Sequence, residues 1–395
     1  MTYNYSYPLK LLVTGILFSV YLLNIKLVFI PLPLVAFLSI FGFIFCLTKN
    51  KILIPRKYYY YFFLLSLLSI VCVFSFLINQ ISDFYFFIEI CVYSVVFFFA
   101  ALFMKNFVKY IGFNYNYETI TKLSVVAIVV QLFFSILAYI NTDLFSIIFS
   151  VIDINLPLDT LDSFNQGRLV GIGASFFASG ILNSFFLILL AGLLVSNKSS
   201  SLESMKYIFL AFILSFIGVM ASRTTVIGIM LFILIFLCRR PLYIFYATIP
   251  LLFVLIFVNW FSSDSRLSEL LKFGTDFLFD YENSQASEST GTLFEMLSII
   301  PTTLKTWLIG DGLYHNNLGG YYMSTDVGYT RILFATGLIG FFFYTLAHLY
   351  LIFITFWRGK KFVCISLIIL FFLLHIKGVA NLMPLLFLYF IVDQE

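Results

Sequence analysis

Residues 328–356 read GYTRILFATGLIGFFFYTLAHLYLIFITF, a long run of apolar and aromatic side chains with one arginine near its start. A helix of about 20 such residues crosses the roughly 30 Å hydrocarbon core of a bilayer, because a helix rises about 1.5 Å per residue. The run is therefore long enough to span a membrane. It predicts a transmembrane helix and sets the class of fold for the rest of the chain.

The composition of the whole chain agrees with this class. Of its 395 residues, 62% are hydrophobic and 11% are charged, and the mean hydropathy is +1.04. Soluble globular domains have about half apolar and a quarter charged residues, so a soluble globule is excluded. The five cysteines lie in apolar segments without paired spacing, which indicates small hydrophobic side chains and no disulfide or metal site.

Apolar runs of this kind recur along the chain. We find about twelve candidates for membrane-spanning helices and expect a single all-α polytopic membrane domain over residues 1–395. The first run lacks a small-residue cleavage site and is followed at once by another, so it is predicted to remain as a span. The runs are 9–25, 27–47, 58–79, 84–104, 119–140, 168–195, 206–221, 224–238, 243–261, 328–356, 362–376 and 378–392.

The distribution of basic residues supports this count. With a cytoplasmic N-terminus and alternating sides, fifteen of the 23 Lys and Arg fall on the cytoplasmic side and the C-terminus is also cytoplasmic. The remaining basic residues are external: Lys26, Arg168, Arg223, Arg266, Lys272, Lys305, Arg331 and Lys377. Because the positive charge is dispersed and mostly cytoplasmic, no nucleic-acid footprint is present.

Two external segments, 141–167 and 262–327, are much longer than the cytoplasmic connections. The first opens with LFSIIFSVIDI, which is too short to span and is predicted to lie in the membrane interface. The second contains two amphipathic stretches, and Pro301 interrupts the later one. This loop carries nine acidic and three basic residues, a balance that is also typical of a solvated external face. We therefore expect the chemistry on the outer side.

Three external arginines stand out in this acidic setting. Arg168 begins a predicted span, Arg223 lies in ASRTT between two short spans, and Arg331 lies inside an apolar run. An intramembrane arginine costs at least about 2.5 kcal/mol, so each is expected to face a polar cavity or a partner. For Arg223 the alternative is a snorkelling arginine at a helix end. The planar arginine fork suits a diphosphate.

Other polar side chains in apolar surroundings have simpler interpretations, with one exception. Glu89 lies inside the fourth run and is expected to neutralise an arginine, while His348 and His375 are predicted to be packing or interface residues. His315 lies in GDGLYHNNLGG, residues 310–320, where Gly310 and Gly312 allow tight turns. A histidine there can accept a proton from a hydroxyl near neutral pH. Its alternative is an exposed histidine in a glycine-rich loop.

The order of these segments resembles the bacterial O-antigen polymerase (Wzy-type) and O-antigen ligase superfamily. The resemblance rests on SRTTVIGIML at the end of a short hairpin, then a long external loop, then GDGLYHNNLGG and DVGYTRILFATGLIGFFFYTLAHLYL. It extends from about Arg168 to Gly340. Its strongest elements are Ser222, Arg223, Gly310, Gly312 and the block from Asp326 to Gly340.

The resemblance implies a GT-C-like glycosyltransferase in the bacterial inner membrane, with its active site at the periplasmic face and a large late periplasmic loop. It would use undecaprenyl-diphosphate-linked oligosaccharides, without a metal or other cofactor. Membrane lipids, a chain-length regulator and a flippase are the partners that it implies.

This chemistry needs cations at the leaving diphosphate and a base for the incoming hydroxyl. Arg223 and Arg168 are expected to hold the diphosphate, with Arg331 and Arg266 as helpers, and Arg223 also acts in catalysis. The base is either His315 or Asp326. Specificity is expected to come from external aromatic residues, namely Tyr281, Tyr314, Tyr321 and Tyr322.

Two members of the superfamily and one other class of protein remain as interpretations. His315 followed by Asn316 resembles the ligases, which transfer polymer to lipid A-core, but a ligase is expected to have a more basic large loop. The aromatic composition and the DVGYTRILFATGLIG block favour a polymerase. A flippase or other transporter predicts short loops on both sides and two similar halves, which this sequence lacks.

Overall fold

The computed structural model of the chain describes residues 7–48, 56–80, 83–154, 167–196, 201–239, 269–270, 273, 285–316 and 320–392. In these ranges the secondary structure is helical, apart from two isolated β-bridges. The helices are α1 (Tyr7–Leu23), α2 (Leu34–Thr48), α3 (Arg56–Asn79), α4 (Tyr85–Ile111), α5 (Tyr117–Ile140), α6 (Thr142–Val151), α7 (Phe176–Val195), α8 (Ser201–Ala221), α9 (Thr225–Arg239), α10 (Gln285–Leu297), α11 (Leu304–Ile309), α12 (Gly328–Phe356), α13 (Lys361–Leu374) and α14 (Met383–Phe390).

The prediction of an all-helical fold is confirmed for the described residues, and their apolar helices are compatible with a polytopic membrane protein. Six of the described helices are long and apolar enough to cross a membrane, and further apolar helices are shorter. A helix lies in each predicted run except the ninth, residues 243–261, which falls outside the described residues. The count of twelve spans and the GT-C-like architecture stay predictions. We use "outer end" for the end of the bundle that carries Asn79, Tyr85 and Gly328, following the predicted orientation.

Short helices occur in both long external segments. Helix α6 covers most of the LFSIIFSVIDI stretch, and Asn141 caps it by accepting hydrogen bonds from the backbone N–H groups of Asp143 and Leu144. In the second segment, α10 and α11 lie on either side of Pro301, as the interrupted pattern predicts. The earlier amphipathic stretch of that segment lies largely outside the described residues.

The core of the bundle is built around α7. In its apolar window 83% of the residues are buried, against 33% for α3, because α5, α8, α9 and α13 all pack on α7. The predicted span 168–195 was too long at its N-terminal end. Helix α7 begins only at Phe176, so Arg168 lies in a non-helical segment that precedes it.

Helix α14 is buried inside the protein and, taken alone, is too short to span the membrane. It has eight residues and a length of about 12 Å, which is well short of the roughly 30 Å hydrocarbon core. Residues Met383 to Phe390 are almost all buried against α4, α5 and α12. Its last carbonyls accept hydrogen bonds from the ammonium groups of Lys57 and Lys105, at 2.6 and 2.8 Å. The N-terminus of α14 therefore lies at depth in the bundle, between the two membrane faces that the topology predicts.

Candidate functional site

The loop that begins at Gly310 is attached to α3 and α12. The Gly310 carbonyl oxygen accepts a hydrogen bond from the Asn79 side-chain amide at 3.0 Å, and the Asp311 N–H donates to the Phe334 carbonyl oxygen at 2.6 Å. Gly310 and Gly312 have φ of 81° and 72°, the left-handed region that favours glycine. A Cβ on Gly310 would also collide with the backbone at Thr336. The loop therefore needs glycine at this position for both conformation and space.

Helix α12 is broken where the loop meets it. Gly337 has φ 65° and ψ −171°, which interrupts the helical backbone and leaves carbonyl groups of the preceding turn without helical partners. Two of these carbonyls are satisfied from outside α12. The Phe334 oxygen accepts from Asp311, and the Ala335 oxygen accepts from the Ser75 hydroxyl at 3.1 Å. The break thus joins α12, α3 and the Gly310 loop at one point.

Asp83, in the turn between α3 and α4, holds the next part of the loop. Its Oδ2 accepts hydrogen bonds from the backbone N–H groups of Tyr314 and His315 at 2.7 and 2.8 Å, and its Oδ1 accepts from Tyr85 N–H at 3.1 Å. Charge-assisted bonds of this kind are among the stronger ones in proteins. Our sequence analysis did not identify Asp83. Nothing in the sequence shows that this turn meets a loop more than 200 residues later.

His315 is half-buried among aromatic rings. Its ring centroid lies 4.2 Å from that of Tyr85 in an edge-on arrangement, and its backbone forms an antiparallel bridge with Tyr321. Burial lowers the pKa of the imidazole below its usual 6.5; the charge of Asp83 opposes this shift and that of Arg331 adds to it. His315 is therefore mostly neutral at pH 7, the state in which an imidazole can accept a proton.

Arg331, in the first turn of α12, is enclosed by tyrosines. Its side chain is 7% exposed, and its guanidinium carbon lies 4.1 Å from the ring centroid of Tyr314 and 3.4 Å from that of Tyr321. Cation–π contacts of this kind stabilise a desolvated guanidinium. No described residue forms a hydrogen bond with its Nε. The charge of Arg331 acts on the Glu89 carboxylate, although within the described residues these two side chains do not form a direct ion pair.

A second group of charged side chains lies at the tip of the α8–α9 hairpin. The Leu169 N–H donates to the Met220 carbonyl oxygen at 3.2 Å, which ties the segment carrying Arg168 to the end of α8. Arg223 follows that end directly. Burial, followed by the charge of Arg223, lowers the pKa of Arg168 to about 10. The two arginines thus lie close enough together for the charge of Arg223 to disfavour the charged form of Arg168.

Lys377 adds a third cation to this group. The chain between α13 and α14 approaches the start of α12 so closely that a Cβ on Gly328 would collide with the Gly378 carbonyl. Burial lowers the pKa of Lys377, the charges of Arg223 and Arg168 lower it further, and Asp326 opposes them. We call Arg168, Arg223 and Lys377 the cation cluster. Asp326 is the carboxylate beside it.

Aromatic rings also line the cation cluster. The guanidinium carbon of Arg168 lies 4.0 Å from the ring centroid of Phe176, and that of Arg223 lies 4.3 Å from the ring centroid of Phe273. The Nε of Arg223 also donates a hydrogen bond to the Phe273 carbonyl oxygen at 3.2 Å. Each arginine is therefore held with one face against a ring, which leaves its edge as the direction for hydrogen bonding.

A cavity of about 530 Å³ lies in the outer half of the bundle. Its walls come from the C-terminal end of α1, the N-terminal ends of α4 and α7, and the chain that leads into α14. Glu89, on the π-helical turn Ile88–Val92 of α4, lines this cavity. An ion pair between Lys26 and Asp153, with 2.6 Å between Nζ and Oδ2, also belongs to the wall. π-Helical turns occur frequently at functional sites.

The residues predicted from the sequence fall into two neighbourhoods. Arg168, Arg223 and Asp326 belong to the cation cluster or lie beside it, whereas His315 and Arg331 lie with Asp83 and Glu89. Arg266 and Tyr281 lie outside the described residues. Tyr314 and Tyr321, which were predicted to contribute to sugar specificity, contact Arg331. His348 and His375 are fully buried packing residues, as predicted.

Lys377 was not singled out in the sequence analysis. The sequence does distinguish Lys377, because it is one of the few external basic residues and it interrupts the last apolar segment. Its proximity to Arg168 and Arg223 arises only from tertiary packing. Among the described residues no group of three or more His, Cys, Asp or Glu is arranged to hold a metal ion.

Comparison of the chain with protein-family models, with curated proteins and with solved structures finds no match in any of the three.

Proposed function

We propose that the protein is a glycosyltransferase of the O-antigen polymerase type. It transfers a growing glycan from undecaprenyl diphosphate to the non-reducing end of another lipid-linked repeat unit at the periplasmic face. The observation that carries this proposal is the cation cluster. Three basic side chains from separate parts of the chain are near enough for their charges to act on one another, with Arg168 and Arg223 half-buried, Lys377 exposed and the Asp326 carboxylate beside them.

The cation cluster is suited to bind an anion with more than one negative charge. Like charges that lie close together repel one another, and a bound anion reduces that repulsion. The forks of Arg168 and Arg223 can each form paired hydrogen bonds with phosphate oxygens, and Lys377 supplies a point charge. A lipid diphosphate fits this set because its charged group enters from the membrane surface while its tail remains in the bilayer.

The same cluster supplies what the reaction needs most. When the sugar–oxygen bond to the diphosphate breaks, negative charge develops on the leaving oxygen. Fixed cations at that position stabilise the transition state. Arg223, at the hairpin tip, is the member of the cluster whose charge acts on both Arg168 and Lys377.

The observation that separates this activity from ligase or flippase activity is the glycan phenotype of a strain that lacks the gene. Loss of a polymerase leaves single repeat units attached to the acceptor. Loss of a ligase leaves a bare acceptor with polymer held on carrier lipid, and loss of a flippase leaves repeats on the cytoplasmic leaflet. We expect the first result, and either of the others contradicts the proposal.

The first residue-level prediction concerns Arg223. Complementation of the deletion strain with Arg223→Ala is expected to give no polymer ladder on a glycan gel while the protein accumulates in the membrane at a normal level. Arg358→Ala is the matched control, because Arg358 is exposed at the other end of the bundle, after α12. A normal ladder from Arg223→Ala would show that the cation cluster does not bind the diphosphate.

A further inference from the structure

The cavity has a carboxylate that the proposed function has not yet used. Glu89 lines it, no described side chain forms a hydrogen bond or an ion pair with the carboxylate, and Arg331 is the nearby cation whose charge acts on it. Placing a carboxylate inside an apolar bundle without direct partners costs several kcal/mol in general. A ligand with hydroxyl groups would provide the missing donors.

The rest of the wall has the chemistry of a sugar site. The rings of Tyr85 and Tyr93 flank Glu89, Asn381 also lines the cavity, and the Lys26–Asp153 ion pair contributes both donors and acceptors. Small-molecule sites typically have volumes of about 300–1,000 Å³ and combine aromatic walls with a few convergent polar groups. At about 530 Å³ the cavity falls in this range.

The cavity also adjoins the cation cluster through the chain. Gly173, Ala174 and Phe177 line the cavity, and they follow Arg168 in the segment that leads into α7. On another side the wall includes Val379, two residues after Lys377. These two short segments therefore connect the wall of the cavity to Arg168 and Lys377 of the cation cluster.

We infer that this cavity binds the terminal sugar of the acceptor glycan and that Glu89 accepts the proton from the attacking hydroxyl. The inference rests on the proposed function, because it needs a donor diphosphate at the cation cluster. Neither His315 nor Asp326 lines the cavity, so Glu89 takes the role of base in place of both.

The reaction balances without a further reactant. The acceptor hydroxyl oxygen forms a bond to C1 of the donor sugar, and the bond from C1 to the diphosphate oxygen breaks. The electron pair of that bond leaves with the lipid diphosphate, whose charge the cation cluster stabilises. The hydroxyl proton passes to the Glu89 carboxylate and later to water.

The test uses the full-length protein in lipid nanodiscs with two assays. The first measures binding of radiolabelled undecaprenyl diphosphate, which reports the cation cluster alone. The second measures elongation with lipid-linked repeat extracted from the deletion strain as donor and with the free repeat oligosaccharide, released from the surface glycan by mild acid, as acceptor. The variants are Glu89→Gln, Glu89→Asp and Ala178→Trp, with Glu203→Gln as the control at the opposite end of the bundle.

We expect Glu89→Gln to lower kcat by about 10²-fold or more, the usual contribution of a general base, and to leave undecaprenyl diphosphate binding within about twofold. Glu89→Asp, which keeps a carboxylate, is expected to recover part of the rate. Ala178→Trp fills the cavity from α7 and is expected to raise KM for the free oligosaccharide at least about tenfold, because a bulky side chain competes for the acceptor space. Glu203→Gln is expected to behave as the wild type.

The outcomes separate the two proposals. If the wild-type protein neither binds undecaprenyl diphosphate nor elongates the glycan, the proposed function fails and this inference fails with it. If the wild type does both and Glu89→Gln elongates at the wild-type rate, only the inference is overturned. An unchanged KM in Ala178→Trp, or loss of undecaprenyl diphosphate binding in Glu89→Gln, also overturns it, since the cavity and the cation cluster would then not have separate roles.

Discussion

Two arginines, Arg331 buried and Arg223 half-buried, pack against aromatic rings. Arg331 lies between Tyr314 and Tyr321, and Arg223 lies against Phe273. A ring face attracts a guanidinium by about 2 kcal/mol when both are desolvated, yet it does not neutralise the charge. Unlike a carboxylate, an aromatic ring adds no opposing negative charge to such a contact. This is the property that a site for an anionic leaving group needs.

At the residue scale, the second prediction concerns His315. A base must be deprotonated to act, so activity falls as the pH drops through the pKa of the base. If His315 were the base, this acidic limb would lie below pH 6.5, because burial lowers the pKa of the imidazole. We expect His315→Gln to retain activity within about tenfold of the wild type and to keep the acidic limb in a pH–rate profile of kcat/KM.

The contrary result for His315→Gln is also specific. A loss of about 10²-fold together with disappearance of the acidic limb would make His315 the base and leave Glu89 with a binding role alone. Because Asp83 holds the loop through the backbone N–H of residue 315, the substitution does not remove the anchor. The comparison therefore tests the imidazole itself.

At this scale the sequence shows which side chains are unfavourable in a membrane more readily than it shows which residues those side chains contact. Arg168, Arg223 and Arg331 were predicted to face a cavity or a partner because an arginine in lipid is expensive. The partners Lys377 and Asp83 could not be predicted, because each is brought to the site by packing between segments far apart in the chain. Glu89 was expected to neutralise an arginine, and Arg331 is the cation that acts on it.

At the element scale, the break in α12 and the Gly310 loop depend on each other. A Cβ on Gly337 would collide with the backbone of Leu308 and Ile309, and a Cβ on Gly310 would collide with the backbone of Thr336. The contact therefore needs a residue without a side chain on both sides. This contact between the break at Gly337 and the Gly310 loop, which we call the joint, fixes the distance between the membrane helix that carries Arg331 and the loop that carries Tyr314.

The third prediction follows from this joint. Gly310→Ala is expected to destabilise the protein by about 1–3 kcal/mol from the positive φ alone, with a further cost for the collision. Gly291→Ala is the matched control, because Gly291 lies in α10 with no heavy atom within 4 Å of the added Cβ, and alanine favours a helix there by about 1 kcal/mol. Thermal unfolding of both purified variants in detergent measures the difference. Equal melting temperatures would contradict the role given to the joint.

The pattern of apolar residues predicted the helices well but not their interruptions. GLIG in α12 was quoted as part of the resemblance, yet a single glycine in an apolar run is compatible with a continuous helix. Its break depends on the Gly310 loop and Ser75, which supply the lost hydrogen bonds. The sequence also did not indicate the short length of α14, because an apolar segment buried in protein has the same composition as one in lipid.

At the scale of the whole molecule, the fourth prediction concerns the orientation of the protein in the membrane, which follows from the distribution of charge. Alkaline phosphatase is active outside the cytoplasm, whereas green fluorescent protein folds inside it. Fusions at residues 154 and 297 are expected to give phosphatase activity, and fusions at residues 196 and 392 are expected to fluoresce, because the segments near the latter two positions fall on the basic side. Phosphatase activity at residue 392 would reverse the assignment of outer and inner ends.

The final helix also has a consequence for how the protein is made. Helix α14 is synthesised after every other described helix, and it fills the space between them. Its Pro384 and Leu388 carbonyls accept hydrogen bonds from the hydroxyls of Tyr21 and Tyr115, at 2.7 and 2.9 Å. During biogenesis the Tyr21 and Tyr115 hydroxyls therefore lack these two acceptors until α14 docks between the earlier helices. We expect assembly to end with this internal docking step and a bundle in which α14 has not docked to be more susceptible to proteolysis.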